Sequence, residues 1–210
     1  MVPFPYVVIV AACLSLFAVV NLDNILRFHR VRSATSAKPE IEKEIVGALL
    51  LAALGTMAFF LESFLYLFLG LFQRLKLPTF LDFGVMWKDA LALFGSLVMV
   101  LGYVIFIWSV VARGKYATSW QMPTNQKLVV WGPYRYVRHP SYLGYFLMFI
   151  GFLLMWQNAL ALIPLIAIPG YVQITSREEE MLVATFGMEY QEYRKHVGRF
   201  VPRALLHKPT

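Results

Sequence analysis

Val2 to Leu22 is a run of 21 residues without one charged side chain. About 20 apolar residues in a helix cross the ~30 Å hydrocarbon core of a bilayer, so this run is long enough to span. Two more follow, Ile45 to Phe72, interrupted by Glu62, and the uncharged Ala90 to Ala112. A chain carrying three such segments has no soluble fold open to it. Composition agrees, with 59% apolar and 15% charged residues against about 45–50% and about 25% in soluble domains. No basic stretch precedes the first run and no small-residue cleavage site follows it, so we read it as a retained helix rather than a signal peptide. The second run, at 28 residues, must tilt, bend or project beyond the bilayer. Its Gly47, Ala48, Ala52 and Gly55 offer a surface on which another helix can pack closely.

Two shorter runs, Tyr142 to Trp156 and Ala159 to Ile174, are separated only by Gln157 and Asn158. This predicts a tight helical hairpin whose two ends return to one side. Pro140 suits the first turn of the first arm, and Pro164 and Pro169 should kink the second. The expected fold is therefore all-α: a polytopic membrane protein with about five transmembrane helices, including a short C-terminal hairpin, and a cytoplasmic helical tail. Residues 1–112 form three N-terminal transmembrane helices, and 113–210 form a loop, the hairpin and the tail. With five spans, 16 Lys and Arg fall on the side of the 23–44 loop, the 113–141 loop and the tail, and 3 on the other. The positive-inside bias then sets the N-terminus outside and the C-terminus in the cytoplasm. It also accounts for the net charge of +7 without nucleic acid. The single cysteine, Cys13, lies in an apolar run and reads as packing. The histidines lack metal-ligand spacing, so no metal is expected.

Polar chemistry concentrates where the hairpin opens. Gly132-Pro133-Tyr134-Arg135-Tyr136-Val137-Arg138-His139-Pro140-Ser141-Tyr142-Leu143-Gly144 combines a turn, two arginines, three tyrosines and a helix start whose free N–H groups suit a carboxylate or phosphate. A snorkelling belt at the headgroups uses the same residue types. In the tail, Leu182, Phe186, Tyr190, Tyr193 and Val197 recur as one helical stripe, which Glu178 extends toward the membrane. A carboxylate on a packed face needs a donor. Glu178, Glu179 and Glu180 could equally serve as first-turn capping groups, which is the role expected of Glu180. Glu62 is expected near the outer headgroups, far from this mouth.

These two segments resemble a known family. Gly132 to Gly144, followed by Glu178-Glu179, Leu182, Phe186-Gly187, Tyr190, Tyr193, Val197, Arg199 and Pro202, is similar to the membrane methyltransferases related to isoprenylcysteine carboxyl methyltransferase and, more distantly, to phospholipid methyltransferases. The resemblance implies S-adenosyl-L-methionine as cofactor and a lipophilic small-molecule, prenylated or lipid acceptor arriving from the bilayer. Carried over by position, Gln126, Lys127, Leu128, Val129, Tyr134, Arg138, His139, Pro140, Ser141 and Tyr142 would line the cofactor pocket, closed by Glu178. Arg138 or the helix start would meet the cofactor carboxylate, Glu178 the ammonium and ribose hydroxyls, and Tyr134 the sulfonium.

Two positions depart from the family pattern. Gln126 stands where His is common, and Ile174 stands four residues before Glu178 where an acceptor-facing Arg is expected. Arg177, three residues along and so able to share a face with position 174, or Gln173 would have to replace it, or the acceptor is not a prenylcysteine carboxylate. Arg177 and Glu178 are accordingly the expected catalytic residues. An NADPH-dependent sterol-type reductase shares a Pro-x-Tyr-x-Gly turn but often has Glu where this chain has Tyr145. A phospholipid amine methyltransferase and a non-catalytic membrane scaffold could carry the same two segments.

Overall fold

A computed structural model describes residues 3–32, 43–73, 77–114 and 127–203. Among these residues six α-helices run in chain order: α1 (Phe4–Arg32), α2 (Lys43–Leu71), α3 (Lys88–Arg113), α4 (Pro140–Trp156), α5 (Ala167–Phe186) and α6 (Met188–His196). A 3₁₀ stretch, Ala159–Ile166, feeds α5. Among the described residues four segments, Phe4–Leu22, Ile45–Leu71, Lys88–Arg113 and Ala159–Phe186, are long and apolar enough to cross a membrane, and Pro140–Trp156 is a shorter apolar helix. The chain is an all-α, multi-pass membrane protein. Its helices are apolar on their outer faces too: Leu54, Leu61 and Phe64 of α2 and Leu93, Leu97 and Leu101 of α3 are exposed. That pattern fits a hydrocarbon solvent.

In lipid, burying Leu against Leu gains little, so close backbone packing must hold helices together. Here α3 and α4 run antiparallel with glycines seven residues apart on each, Gly95 and Gly102 facing Gly151 and Gly144. A Cβ added at any of the four would come within 3.0 Å of the opposing backbone. The second arm docks elsewhere. On α2, a Cβ at Gly55 would meet Ala167 and Pro164, and one at Gly170 of α5 would meet the backbone of Ala48 and Ala52. Three of the four small residues expected to admit a helix do so, while Gly47 faces open space.

The two-residue turn forms as expected. Gln157 takes the left-handed conformation at φ 54°, and its side chain donates to Lys88 O at 2.6 Å. Asn158 donates to Asp82 Oδ1 at 2.9 Å and accepts from Leu160 N at 3.0 Å. Both are buried, so the turn is bolted to the α2–α3 loop. Pro164 sits inside the 3₁₀ stretch, while Pro169 falls in the first turn of α5, where a missing N–H costs no helical bond. Glu62 is 7% exposed, with Oε2 making no hydrogen bond among the described residues. Its side chain is therefore covered by neighbouring helices.

At the level of the site, Tyr171 of α5 joins three helices. It stacks on Tyr145 at 5.4 Å and lies 4.7 Å from the Tyr142 ring, both on α4. Its hydroxyl pairs with Thr56 of α2 at 2.8 Å.

The glycine contacts generate a test. Gly151→Ala should lose about 1–3 kcal/mol of stability by overpacking. Gly47→Ala, in open space, should be neutral or gain up to about 1 kcal/mol. Thermal unfolding in detergent compares the two, and equal effects would remove the backbone-contact account of the α3–α4 pair.

Candidate functional site at the hairpin mouth

The sequence order Val137-Arg138-His139 meets Val197-Gly198-Arg199 as a short pair of extended strands. Val137 bridges Gly198 in parallel, Arg138 N–H donates to Gly198 O at 2.8 Å and His139 N–H to Arg199 O at 3.1 Å. Pro140 then opens α4. The tail reaches this point because Gly187, at φ 54°, ends α5 and lets α6 turn back. The continuous stripe expected from Glu178 to Val197 is therefore corrected: it is divided between two helices, and Val197 lies beyond α6. The capping account of Glu178 to Glu180 also falls, because α5 begins at Ala167, three turns earlier.

Between these strands and α5 lies Glu179, its side chain 4% exposed. Arg138 donates from Nε to Oε1 at 3.0 Å, and its second terminal nitrogen lies 2.9 Å from the same oxygen. Arg199 donates through Nε to Oε1 at 3.2 Å and through Nη2 to Oε2 at 3.1 Å. His139 Nε2 is 3.1 Å from Oε1. Arg138 also donates to the carbonyls of Val197 and Arg194, which fastens the tail. Sequence reasoning missed Glu179 as a site residue and left Arg199 without a role. The signal lay in the buried stripe of α5, Ala167, Gly170, Ile174, Thr175 and Glu179, read upward from the membrane instead of downward from Leu182.

Glu178 is more open, at 26% side-chain exposure. Tyr142 donates to its Oε1 at 2.6 Å, and His139 Nδ1 is 3.5 Å from Oε2. The imidazole thus has a carboxylate at each nitrogen, an arrangement that favours the doubly protonated ring. Burial lowers the His139 pKa, but the bonds and charges of Glu178 and Glu179 outweigh it and raise the value above 6.5.

The remaining expected residues spread around this centre. Tyr134 is buried, accepts from Tyr193 through its carbonyl at 2.6 Å, and has its hydroxyl in hydrogen-bonding reach of Ser141 and Ser109. Lys127, Leu128 and Val129 lie in the irregular stretch before Trp131, whose indole donates to Ala112 O at 2.9 Å. Arg177 donates to Glu180 at 2.5 Å on a more exposed part of α5. Gln126 lies outside the described residues. Among the described residues no group of three or more His, Cys, Asp or Glu could hold a metal ion.

Glu179→Gln strands three cations around a neutral amide and should cost about 3–5 kcal/mol, the range for breaking a buried pair. Glu180→Gln, on a solvated pair, should cost about 0–1 kcal/mol. The His139 contribution is full below about pH 6.5 and is lost as pH rises through the raised folded value. The melting-temperature gap between the parent and His139→Gln should therefore shrink from about pH 6 to about pH 9; a gap that widens would reverse the assigned charge state.

Comparison with known proteins matches residues 91–189, from α3 into α6, to the phospholipid methyltransferase family model. A protein-S-isoprenylcysteine O-methyltransferase of Tribolium castaneum is 31% identical over 114 residues, 51% of this chain and 40% of the relative. One of Dictyostelium discoideum is 27% identical over 153 residues, covering 67% of this chain and 65% of the relative. A probable protein-S-isoprenylcysteine O-methyltransferase of Oryza sativa subsp. indica is 28% identical over 180 residues, covering 83% and 84%. The chain spans less than two thirds of the length of the Tribolium and Dictyostelium relatives. The matched region holds the loop, the hairpin and α5, and over it the chain is similar to the phospholipid methyltransferase family model and to proteins named protein-S-isoprenylcysteine O-methyltransferase.

Proposed function

We propose that the chain is an S-adenosylmethionine-dependent methyltransferase of the membrane, acting on an acceptor whose hydrocarbon tail stays in the bilayer. The observation that carries this reading is the closure of the loop around Tyr134 to Tyr142 against Glu178 and Glu179, at the end of a hairpin that is apolar immediately below it. A polar mouth adjoining lipid suits two reactants of opposite solubility. Each CH₂ left in hydrocarbon contributes about 0.8 kcal/mol, so sideways entry favours a tailed acceptor over a water-soluble one.

The donor set fits the cofactor. Glu178, half-open and already accepting from Tyr142, can take an ammonium or ribose hydroxyl. The Tyr134 and Tyr142 rings are electron-rich partners for a sulfonium, and the first turn of α4 offers the N–H groups of Ser141 and Tyr142 to a carboxylate. When bound, the cofactor supplies a sulfonium methyl that an acceptor oxygen or amine takes as the C–S bond breaks, leaving a neutral thioether. The protein's part is to align the two reactants and exclude water, which is where most of the rate arises. Arg138, His139 and Arg199, committed to Glu179, hold the loop and tail in register as positioning residues. On the acceptor side, Arg177 and Gln173 are the residues that would stand in for the cation absent at Ile174.

Titration calorimetry of the purified chain with S-adenosylmethionine and with NADPH tests the reaction class. Binding of the first alone is expected, with Glu178→Gln weakening it roughly 10- to 150-fold, the loss of one charge-assisted bond. Binding of NADPH alone would favour the reductase.

The charge distribution supports a cytoplasmic mouth and an outer α2–α3 loop. Met188 and Met86 are both exposed, at 71% and 92%. In a Cys13→Ala background, Met86→Cys should react with an impermeant thiol reagent in intact cells and Met188→Cys should not; the opposite labelling would invert the topology.

A further inference from the structure

Arg113, the last residue of α3, has no part in the Glu179 cluster. The antiparallel register, with Gly95 against Gly151 and Met155 and Gly102 against Gly144 and Met148, carries α3 upward to meet the segment before α4. There the Trp131 indole donates to Ala112 O, and Gly132 lies so close that an added Cβ would be 2.9 Å from the Ala112 Cβ. Arg113, partly exposed, thereby stands at the level of Tyr134. Its charge acts on the hydroxyls of Tyr134, Tyr142 and Tyr145, and Glu178 acts on the first two from α5.

A cation at a helix C-terminus is ordinarily accounted for by the dipole and by snorkelling into water. Arg113 departs from that pattern. Its Nε is buried and makes no hydrogen bond, and no ion pair to it is found among the described residues. A buried donor of this kind carries its desolvation penalty until an acceptor arrives. Meanwhile Ile174, 1% exposed, packs against Ala48 and Ala52 and brings no charge to the mouth.

We propose that Arg113 receives a carboxylate at the hairpin mouth, with Tyr134 and Tyr142 between it and Glu178. This rests on the methyltransferase reading above. Two sources share the chemistry: the amino-acid end of the cofactor, whose ammonium would face Glu178, and the free carboxylate of a lipid-tailed acceptor. A planar guanidinium suits either, since it can bind both carboxylate oxygens at once.

The test uses the full chain in nanodiscs, with calorimetry of S-adenosylmethionine and its decarboxylated analogue, and transfer of labelled methyl to N-acetyl-S-farnesylcysteine. If the cofactor is the source, the parent binds S-adenosylmethionine at least about tenfold more tightly than the analogue, and Arg113→Gln binds the two alike. If the acceptor is the source, Arg113→Gln raises its KM by about tenfold or more while cofactor affinity stays unchanged. Arg113→Lys keeps the charge without the fork and should fall between. Should Arg113→Gln not fold, the parent's preference over the analogue and the Arg113→Lys kinetics decide in the same sense. A parent that binds and transfers, with neither the preference over the analogue nor the acceptor KM moved by either variant, overturns the assignment. A parent that does not bind S-adenosylmethionine overturns the methyltransferase reading and this assignment together.

Discussion

One buried carboxylate organises the polar end of this protein. Glu179 sits where α5 leaves the apolar layer, and its desolvation is tolerable only because Arg138, His139 and Arg199 converge on it. Two of those partners come from the loop before α4 and one from the chain beyond α6. The ion cluster is thus the fastening between segments that share no helix. Glu178, the next residue, inherits a fixed position from it. A fully satisfied network of this kind gives rigidity, whereas removing one member leaves the others exposed to the full desolvation penalty.

Beneath the cluster, the two arms of the hairpin depend on different neighbours. The first is locked to α3 by glycine against glycine, the second to α2 by Ala48, Ala52 and Gly55. Docked separately, the arms meet through aromatic rings at Tyr142, Tyr145 and Tyr171 instead of by backbone contact. The small-residue seams and the ring stack therefore divide the labour: the seams fix helix positions, and the stack supports the floor of the mouth.

Much of this was legible because the bilayer simplifies the code. Uninterrupted apolar runs located the helices, Gln157-Asn158 located the turn, and the Gly132–Gly144 segment located the mouth. The choice among Glu178, Glu179 and Glu180 was harder. Neighbouring helical residues differ by about 100° in direction, and the apolar stripe used to orient them was carried on past Gly187, where α5 no longer runs. The burial of Glu62 escaped for a related reason, since depth along a span does not reveal which neighbour covers that face. Arg113 was invisible as a candidate because its significance lies in the register of α3 against the residues after 130, a relation no local pattern encodes.

The pairing of Val137 to His139 with Val197 to Arg199 also sets an order of events during synthesis. When α3, α4 and α5 have entered the membrane, Arg138 and His139 still lack the strand that accepts their N–H groups, and Glu179 still lacks Arg199. The polar mouth can close only once translation has passed residue 199, so a nascent chain inserts its helices first and fastens its polar end last. Until that moment the growing polypeptide carries no completed polar mouth.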